Sequence, residues 1–434
     1  MNMMKKMIAL VLVASLLMAG CQNSGGQAAA VDATKPAAVY DWMAGESPVM
    51  PQRMGIKRIG TQNTDYTISP NGLYYIYKPM GPTEGSSYNY ILYSDHGSDT
   101  VIKLCGRADC NHNNPDCNAC IAEGNNIYYH EGYLYVVSGE GGTMEGWESV
   151  GCKLIRMDLD GSDHVTILDL DQFAQDLGYD FAECEMIDSG VCLFGVYEWI
   201  AEESGPNSVS YTPNQIGTYR LALGDSKAEP QPIKPGVGYL YHCGDVFLAL
   251  KAGTLNGGYG EYDFSLWDWD IETNTATYLT DHPGIAGFYG KEYGYYFRDG
   301  AVIRLNYETR EEERLIETGL DGDYYAICLP DCLIVAEQSR NPTDNQIYIY
   351  NWAYELVDTI KLPPFSNIPY DQSLIAETED RLIFSDDLFT RVPKYYIEKS
   401  ELGTGNVKIH SFKLLDMTDA EQAYWEDQEW LNNG

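Results

Sequence analysis

Two short patterns alternate along this chain, and their alternation restricts the fold more than any other feature. The first is a few polar residues, a turn centred on Gly, Asp or Glu, and then four or five apolar or aromatic residues. It occurs seven times, marked at its fourth position by Gly72, Gly132, Gly190, Gly244, Glu292, Asp331 and Asp380, with spacings of 60, 58, 54, 48, 39 and 49 residues. Between markers lies a second pattern, a short strand, a polar turn and another strand, as in ILYSDHGSDTVIKL from Ile91 and VIRLNYETREEERLI from Val302; it too occurs seven times. Both patterns have the make-up of a β-hairpin. Two interleaved series of seven hairpins make seven four-stranded antiparallel units over residues 66–415, 350 residues or fifty per unit. That period predicts an all-β chain folded as a seven-bladed β-propeller, with six or eight blades as the neighbouring alternatives. A parallel β-helix has shorter coils and lacks paired turns at two alternating positions. The 35 tyrosines fit the same picture, because aromatic residues suit pleated, half-buried surfaces.

In a four-stranded antiparallel blade, the loop between strands 2 and 3 and the link to the next blade emerge at one end, and the two tight turns at the other. The insertions at 79–87, 138–151, 198–217 and 251–263 are all 2→3 loops. The stretch 105–120, as a link between the first two blades, joins them on the same face. These loops carry Gly-rich and aromatic sequence around Trp147, Trp199, Tyr211, Tyr259 and Tyr262. Aromatic and acidic side chains on such loops suit a concave site for a glycan, a peptide or a partner protein.

The densest chemistry is in CGRADCNHNNPDCNAC, where Cys105, Cys110, His112, Cys117 and Cys120 occupy sixteen residues. Four or five soft ligands suffice for tetrahedral zinc, although only Cys117 and Cys120 have the two-residue spacing of a zinc knuckle. Two disulfides, or free redox-active thiols, are the competing readings. Among the other cysteines, Cys328 and Cys332 flank a three-residue turn and read as cross-strand neighbours close enough to bridge. Cys184, Cys192 and Cys243 read as small buried hydrophobes, and Cys152, at the end of a face loop, as within reach of the cluster. The acidic run at 159–163 reads as an Asp-Gly turn rather than a calcium loop.

The segment LCGRADCNHNNPDCNAC resembles one that recurs in lipoproteins of clostridia and other Gram-positive anaerobes, of the TolB-like and WD40-like β-propeller kind. Cys105, Asp109, Cys110, His112, Cys117, Asn118 and Ala119 carry the resemblance, with Cys120 as an addition. It implies a propeller and no particular activity, and it favours Cys105, Cys110, His112 and Cys117 as a minimal three-Cys, one-His set.

The N-terminus agrees. Lys5 and Lys6 precede an apolar run from Met7 to Met18 that is too short to span a bilayer core of about 30 Å. Leu17, Met18, Ala19, Gly20 and Cys21 resemble the lipobox of bacterial lipoproteins, with Met18 where Leu is usual. The expected organisation is a signal peptide over 1–20, a tether lipidated at Cys21 over 21–50, the propeller over 51–415 and an acidic tail over 416–434. The strand-like segment 53–59 offers an outermost strand for the last blade. Acyl chains at about 0.8 kcal/mol per buried CH₂ place such a chain on the extracytoplasmic side of the cell membrane.

Loss of residues 1–20 leaves 26 basic against 64 acidic residues, a net charge of −38. That field repels phosphate backbones and excludes a nucleic-acid binder, and it favours cationic partners, divalent ions or simple solvation. No nucleophile elbow, phosphate loop or HExxH occurs. A surface-tethered binding module is the leading expectation. A carbohydrate-active hydrolase or lyase on the same face is the alternative, and a metal-binding or redox-sensing protein the third.

Overall fold

The computed structural model describes residues 66–77, 88–110, 112, 116–122, 126–139, 151–188, 190–205, 208–224, 228–233, 237–243, 246–251, 264–270, 275–281, 287–289, 292–322, 324–329, 331–337, 346–361, 374–385 and 393–415. The signal peptide, Cys21, the tether, segment 53–59 and the acidic tail lie outside them, as do Trp147, Tyr259, Tyr262 and most of the 79–87, 138–151 and 251–263 insertions.

Among the described residues the strands form seven antiparallel sheets, each built from four strands consecutive in sequence, with two additions to the first. The first sheet runs β1 (Tyr66–Ile68), β2 (Gly72–Tyr77), β3 (Tyr88–Asp95) and β4 (Thr100–Lys103), with β5 (Cys120–Ala122) also on β3. The second contains β6 (Asn126–His130), β7 (Tyr133–Ser138), β8 (Lys153–Asp158) and β9 (Val165–Asp169). A short helix, α1 (Leu170–Asp176), leads to the third: β10 (Phe181–Asp188), β11 (Val191–Gly205), β12 (Ser208–Ala222) and β13 (Gln231–Pro232). Four more sheets follow, the fourth from Val237–Cys243 to Thr275–Asp281, the fifth from Gly287–Tyr289 to Glu312–Glu317, the sixth from Tyr324–Cys328 to Leu356–Lys361, and the seventh from Leu374–Glu377 to His410–Ser411. Both hairpin series of the sequence are therefore present.

Local chemistry makes the turns. Ser69 accepts from the Asn71 and Gly72 amides while its own N–H donates to the Gly72 carbonyl, closing the β1–β2 turn. Thr378 does the same for Arg381 in the seventh sheet. Gly72 permits close strand approach: a Cβ there would stand 2.2 Å from the Ser94 carbonyl oxygen.

Among the described residues, inner strands are more enclosed than outer ones. Gly72–Tyr77 and Arg381–Phe384 are buried throughout, whereas the outer strand Glu312–Glu317 is mostly exposed. A strand held between neighbouring sheets loses polar alternation, and a rim strand keeps its charges.

Among the described residues, several pairs of consecutive sheets pack face to face. Tyr135, Leu154, Cys184 and Phe194 share one core between the second and third sheets, Phe297, Val302, Tyr324 and Val335 another between the fifth and sixth, and Ile334, Ile349, Leu382 and Ile397 a third between the sixth and seventh. The first sheet packs on the second through Ile127, Leu134 and Val136, and on the last through Ile383, Tyr396 and Phe412, all in one cluster.

The chain's last described strand, Lys413–Leu414, leaves the seventh sheet and pairs in parallel with β4 of the first, placing Lys413 opposite Thr100 and Leu414 opposite Val101. Arg381, buried and stacked over Tyr396, reinforces this seam by donating to the Gly97 and Ser98 carbonyls at 2.9 and 2.5 Å.

Three expectations are corrected here. Residues 198–217 are not a loop: β11 and β12 stay paired from Val191–Ala222 out to Gly205–Ser208 as a long two-stranded ribbon. Cys328 pairs with Leu333, which puts Cys332 on the other sheet face, in the core with the seventh sheet, so the two cysteines cannot bridge. Cys152 lies in the core with Cys184 and Cys192, whose sulfurs are 3.8 Å apart, and so does not approach the cysteine-rich stretch.

Candidate metal centre

The cysteine-rich stretch does not link two sheets on the loop face. It interrupts the outer strand of the first sheet. β4 pairs with Leu92 and Tyr93 of β3, β5 resumes the pairing at Tyr90, Asn89 and Tyr88, and residues 105–118 leave the strand between them. Ile91 clamps both ends of the excursion, accepting from the Leu104 amide at 2.9 Å and donating to the Ala119 carbonyl at 2.8 Å. Gly161, in the tight turn between β8 and β9, stands so close that a Cβ would lie 2.8 Å from the Leu104 carbonyl oxygen and 3.2 Å from that of Asn118. The stretch therefore sits on the outer rim, leaning towards the tight-turn end. Its extra residues enter within strand 4 and not after it. The 159–163 run forms the expected turn: Asp160 accepts from both the amide and the hydroxyl of Ser162.

Within this loop the ligand atoms of Cys105, Cys110, His112 and Cys117 all lie within 4.8 Å of one another, and His112 Nδ1 is 3.4 Å from Cys117 Sγ. In a loaded tetrahedral site with bonds of about 2.3 Å, sulfurs stand roughly 3.8 Å apart, so a small contraction completes the geometry. The loop favours the thiolate at Cys105. Burial pushes the Cys105 thiol up, but the Arg107 and Asn118 amides donate to it, and with the Cys110 and Cys117 thiols they bring its pKa below the ordinary value. Burial dominates at Cys117 and raises its pKa, against a hydrogen bond from the Ala119 amide. In both cases the amide two residues on points at the sulfur, so Cys105 adopts a knuckle-like turn that its spacing did not reveal. Arg107 braces the loop, donating to the Asp116 carbonyl at 2.8 Å and standing 3.6 Å from Asp109.

Cys120 is outside the convergent set. It belongs to β5, its buried thiol raised in pKa by desolvation, beside Lys103 and hydrogen-bonded to Cys117. Lys103 is itself buried and lies 4.4 Å from the Tyr90 ring centre. A cluster of three thiols and one imidazole is a donor set that can hold a metal ion.

Of the aromatic residues expected on the loop face, Trp199 and Tyr211 are described. Trp199 stands at the root of the ribbon, its amide on Asp180 at 2.6 Å and its ring 4.9 Å from that of Phe181, which stacks on Tyr197 at 5.0 Å. Tyr211, opposite Ala201 on the ribbon, is half exposed, as are Ile200 and Ile216 to a slightly lesser degree.

Glu185 was not legible as a special residue. It sits at a β-bulge in β10, buried, accepting from Gln215 and Tyr197, and burial followed by the neighbouring Glu183 pushes its carboxyl up to about 8. A bulge in a strand has no sequence signature of its own.

No family model and no curated relative matches this sequence. Among solved structures, the chain is similar to the acylaminoacyl peptidase of Pyrococcus horikoshii, at 9% identity and a TM-score of 0.44, over 88% of this chain and 55% of that one. It is similar to the β-propeller domain of the Trilobed protease from Pyrococcus furiosus, at 10% identity and TM-score 0.34, over 70% and 97%. An oligogalacturonate lyase in complex with manganese aligns at 13% identity and TM-score 0.33, over 69% and 76%. The chain spans about half the length of the first of these.

Proposed function

We propose that this chain is a seven-bladed β-propeller, lipidated at Cys21 and held on the extracytoplasmic side of the membrane, that binds its ligand at the end from which the β11–β12 ribbon projects. The observation that carries the reading is the ribbon itself. Its strands extend beyond the body of the third sheet, present Ile200, Tyr211 and Ile216 to solvent, and rise from an aromatic root of Phe181, Tyr197 and Trp199. Exposed apolar side chains on a rigid projecting element suit recognition of a peptide, a glycan or a protein surface. A glycan and peptide array probed with the lipid-free protein tests it: the double variant Tyr211→Ala, Ile200→Ser should abolish the signal that the parent gives. Undiminished binding by that variant would remove the ribbon from the reading. Nothing among the described residues favours the hydrolase or lyase alternative over binding.

The first blade, in this reading, carries zinc on Cys105, Cys110, His112 and Cys117. Three thiolates and one imidazole form a closed tetrahedral set of the structural kind, with no position left for a substrate. The convergence of these four ligand atoms, one of them the His112 imidazole, supports the metal reading. Native mass spectrometry of the purified protein should give one zinc per chain, lost in Cys110→Ser and retained in Cys120→Ser. Metal-free protein, or a zinc complement that depends on Cys120, would end this assignment.

A further inference from the structure

The metal loop and the ring seam share one strand. β4 carries the parallel closing strand Lys413–Leu414 on its outer edge, and Cys105 follows Lys103 by two residues. The Lys413 amide donates to the Asp99 carbonyl at 2.7 Å and the Leu415 amide to that of Val101 at 2.8 Å. Lys413 Nζ also meets the Asp99 carboxylate at 2.7 Å. One apolar cluster joins the two features without a break: Cys117, Ala119, Cys120, Leu104 and Val101 pack with Tyr396 and Phe412 of the seventh sheet.

β4 is a weak element by itself. It has four residues, and its ladder to β3 covers only Leu92–Lys103 and Tyr93–Ile102. A short outer strand stays in register only if both its ends are held. The tight turn at 96–99 holds the first end. The second runs into the stretch 105–118, at whose two ends Leu104 donates to the Ile91 carbonyl and Ala119 accepts from the Ile91 amide. Cross-linking Cys105 to Cys117 through an ion shortens that excursion to a closed loop and fixes the exit of β4.

Resting on the zinc reading above, we infer that the metal centre is the latch of the ring: ion binding at Cys105, Cys110, His112 and Cys117 holds β4 in place for the closing strand, and ion loss frees the seam between the seventh and first sheets before the other sheets. The coupling is reciprocal, since a seam that stabilises the bound form of the loop raises its affinity for the ion.

Hydrogen exchange on the full chain, with zinc bound, after chelation and after zinc is restored, tests this. Chelation should speed exchange about tenfold at 97–104 and 410–415 while the sixth-sheet strands at 346–361 keep their protection, and added zinc should reverse it. Acceleration confined to 105–118, or equal acceleration in every sheet, overturns the latch while leaving the metal assignment standing. Failure to bind zinc at all sinks both. As a second arm that spares the ligands, Lys413→Glu should weaken zinc affinity about tenfold, as reciprocity requires; unchanged affinity in a variant that has lost protection at 410–415 also overturns it.

Discussion

His112 has a left-handed backbone, φ +53°, in the middle of the cysteine-rich loop. Such a conformation costs an L-residue roughly 1–2 kcal/mol, and here it turns the imidazole towards Cys117. Glu185 is a second residue whose chemistry departs from its type. Its folded carboxyl titrates near 8 because burial disfavours the charge, and Glu183 adds to the effect. The folded state therefore keeps a proton that the unfolded chain releases near the usual carboxylate range. The stability this contributes is fully present below about pH 4.3 and is lost as pH rises through about 8. Urea midpoints measured between pH 5 and 8 should fall with rising pH, and Glu185→Gln, which keeps shape without the titration, should flatten the slope. A slope unchanged in that variant would show that other groups set the pH response.

Between elements, the sixth and seventh sheets are joined by a buried charge. Lys399, at the start of a short 3₁₀ turn and almost fully enclosed, contacts Glu377 at 2.6 Å and Asp331 at 2.7 Å. Burial works against its charge, but the two carboxylates outweigh that and raise its pKa. Removing one member of such a group leaves the other charges buried and uncompensated, which costs about 3–5 kcal/mol. Lys399→Met should lower stability by that amount in chemical denaturation, and a loss below about 1 kcal/mol would mean that water reaches the site. The ribbon is an element of a different kind: β11 and β12 continue as partners beyond the sheet, so their cross-strand ladder makes a stiff projection out of residues whose Gly, Ser and Asn content reads as a loop.

For the molecule as a whole, closure and charge oppose each other. The formal net charge is −36, and self-repulsion of that size loads every contact that closes the chain on itself. Structural zinc in small domains contributes about 10–16 kcal/mol of apparent folding energy, comparable to the stability of a whole domain at about 5–15 kcal/mol, so an ion held by Cys105, Cys110, His112 and Cys117 would be large enough to matter. Salt screens repulsion over a Debye length of about 10 Å at 0.1 M. The melting temperature should therefore rise by several degrees between about 0.02 and 0.2 M sodium chloride, read by differential scanning calorimetry. A fall over that range would mean that ion pairs such as Arg381–Glu398 outweigh the net repulsion.

Periodicity by itself determined the architecture: turn residues at regular spacing and alternating hairpins require four-stranded sheets, because each rests on local backbone preferences that act within a few residues. The same local logic marked Cys105, Cys110, His112, Cys117 and Cys120 as a patch of soft donors, open to a metal, to disulfides or to free thiols. Only the tertiary structure decided where the patch sits and which four of its donors converge. Whether residues 105–118 follow strand 4 or interrupt it depends on β3 pairing again with residues 120–122, a contact some thirty residues away that leaves no mark in either segment. The same holds for Cys152, for the opposed faces of Cys328 and Cys332, and for the pairing of Lys413 with Thr100 across more than three hundred residues. Long-range pairing is selected by the packing of sheet on sheet, and local sequence does not record it.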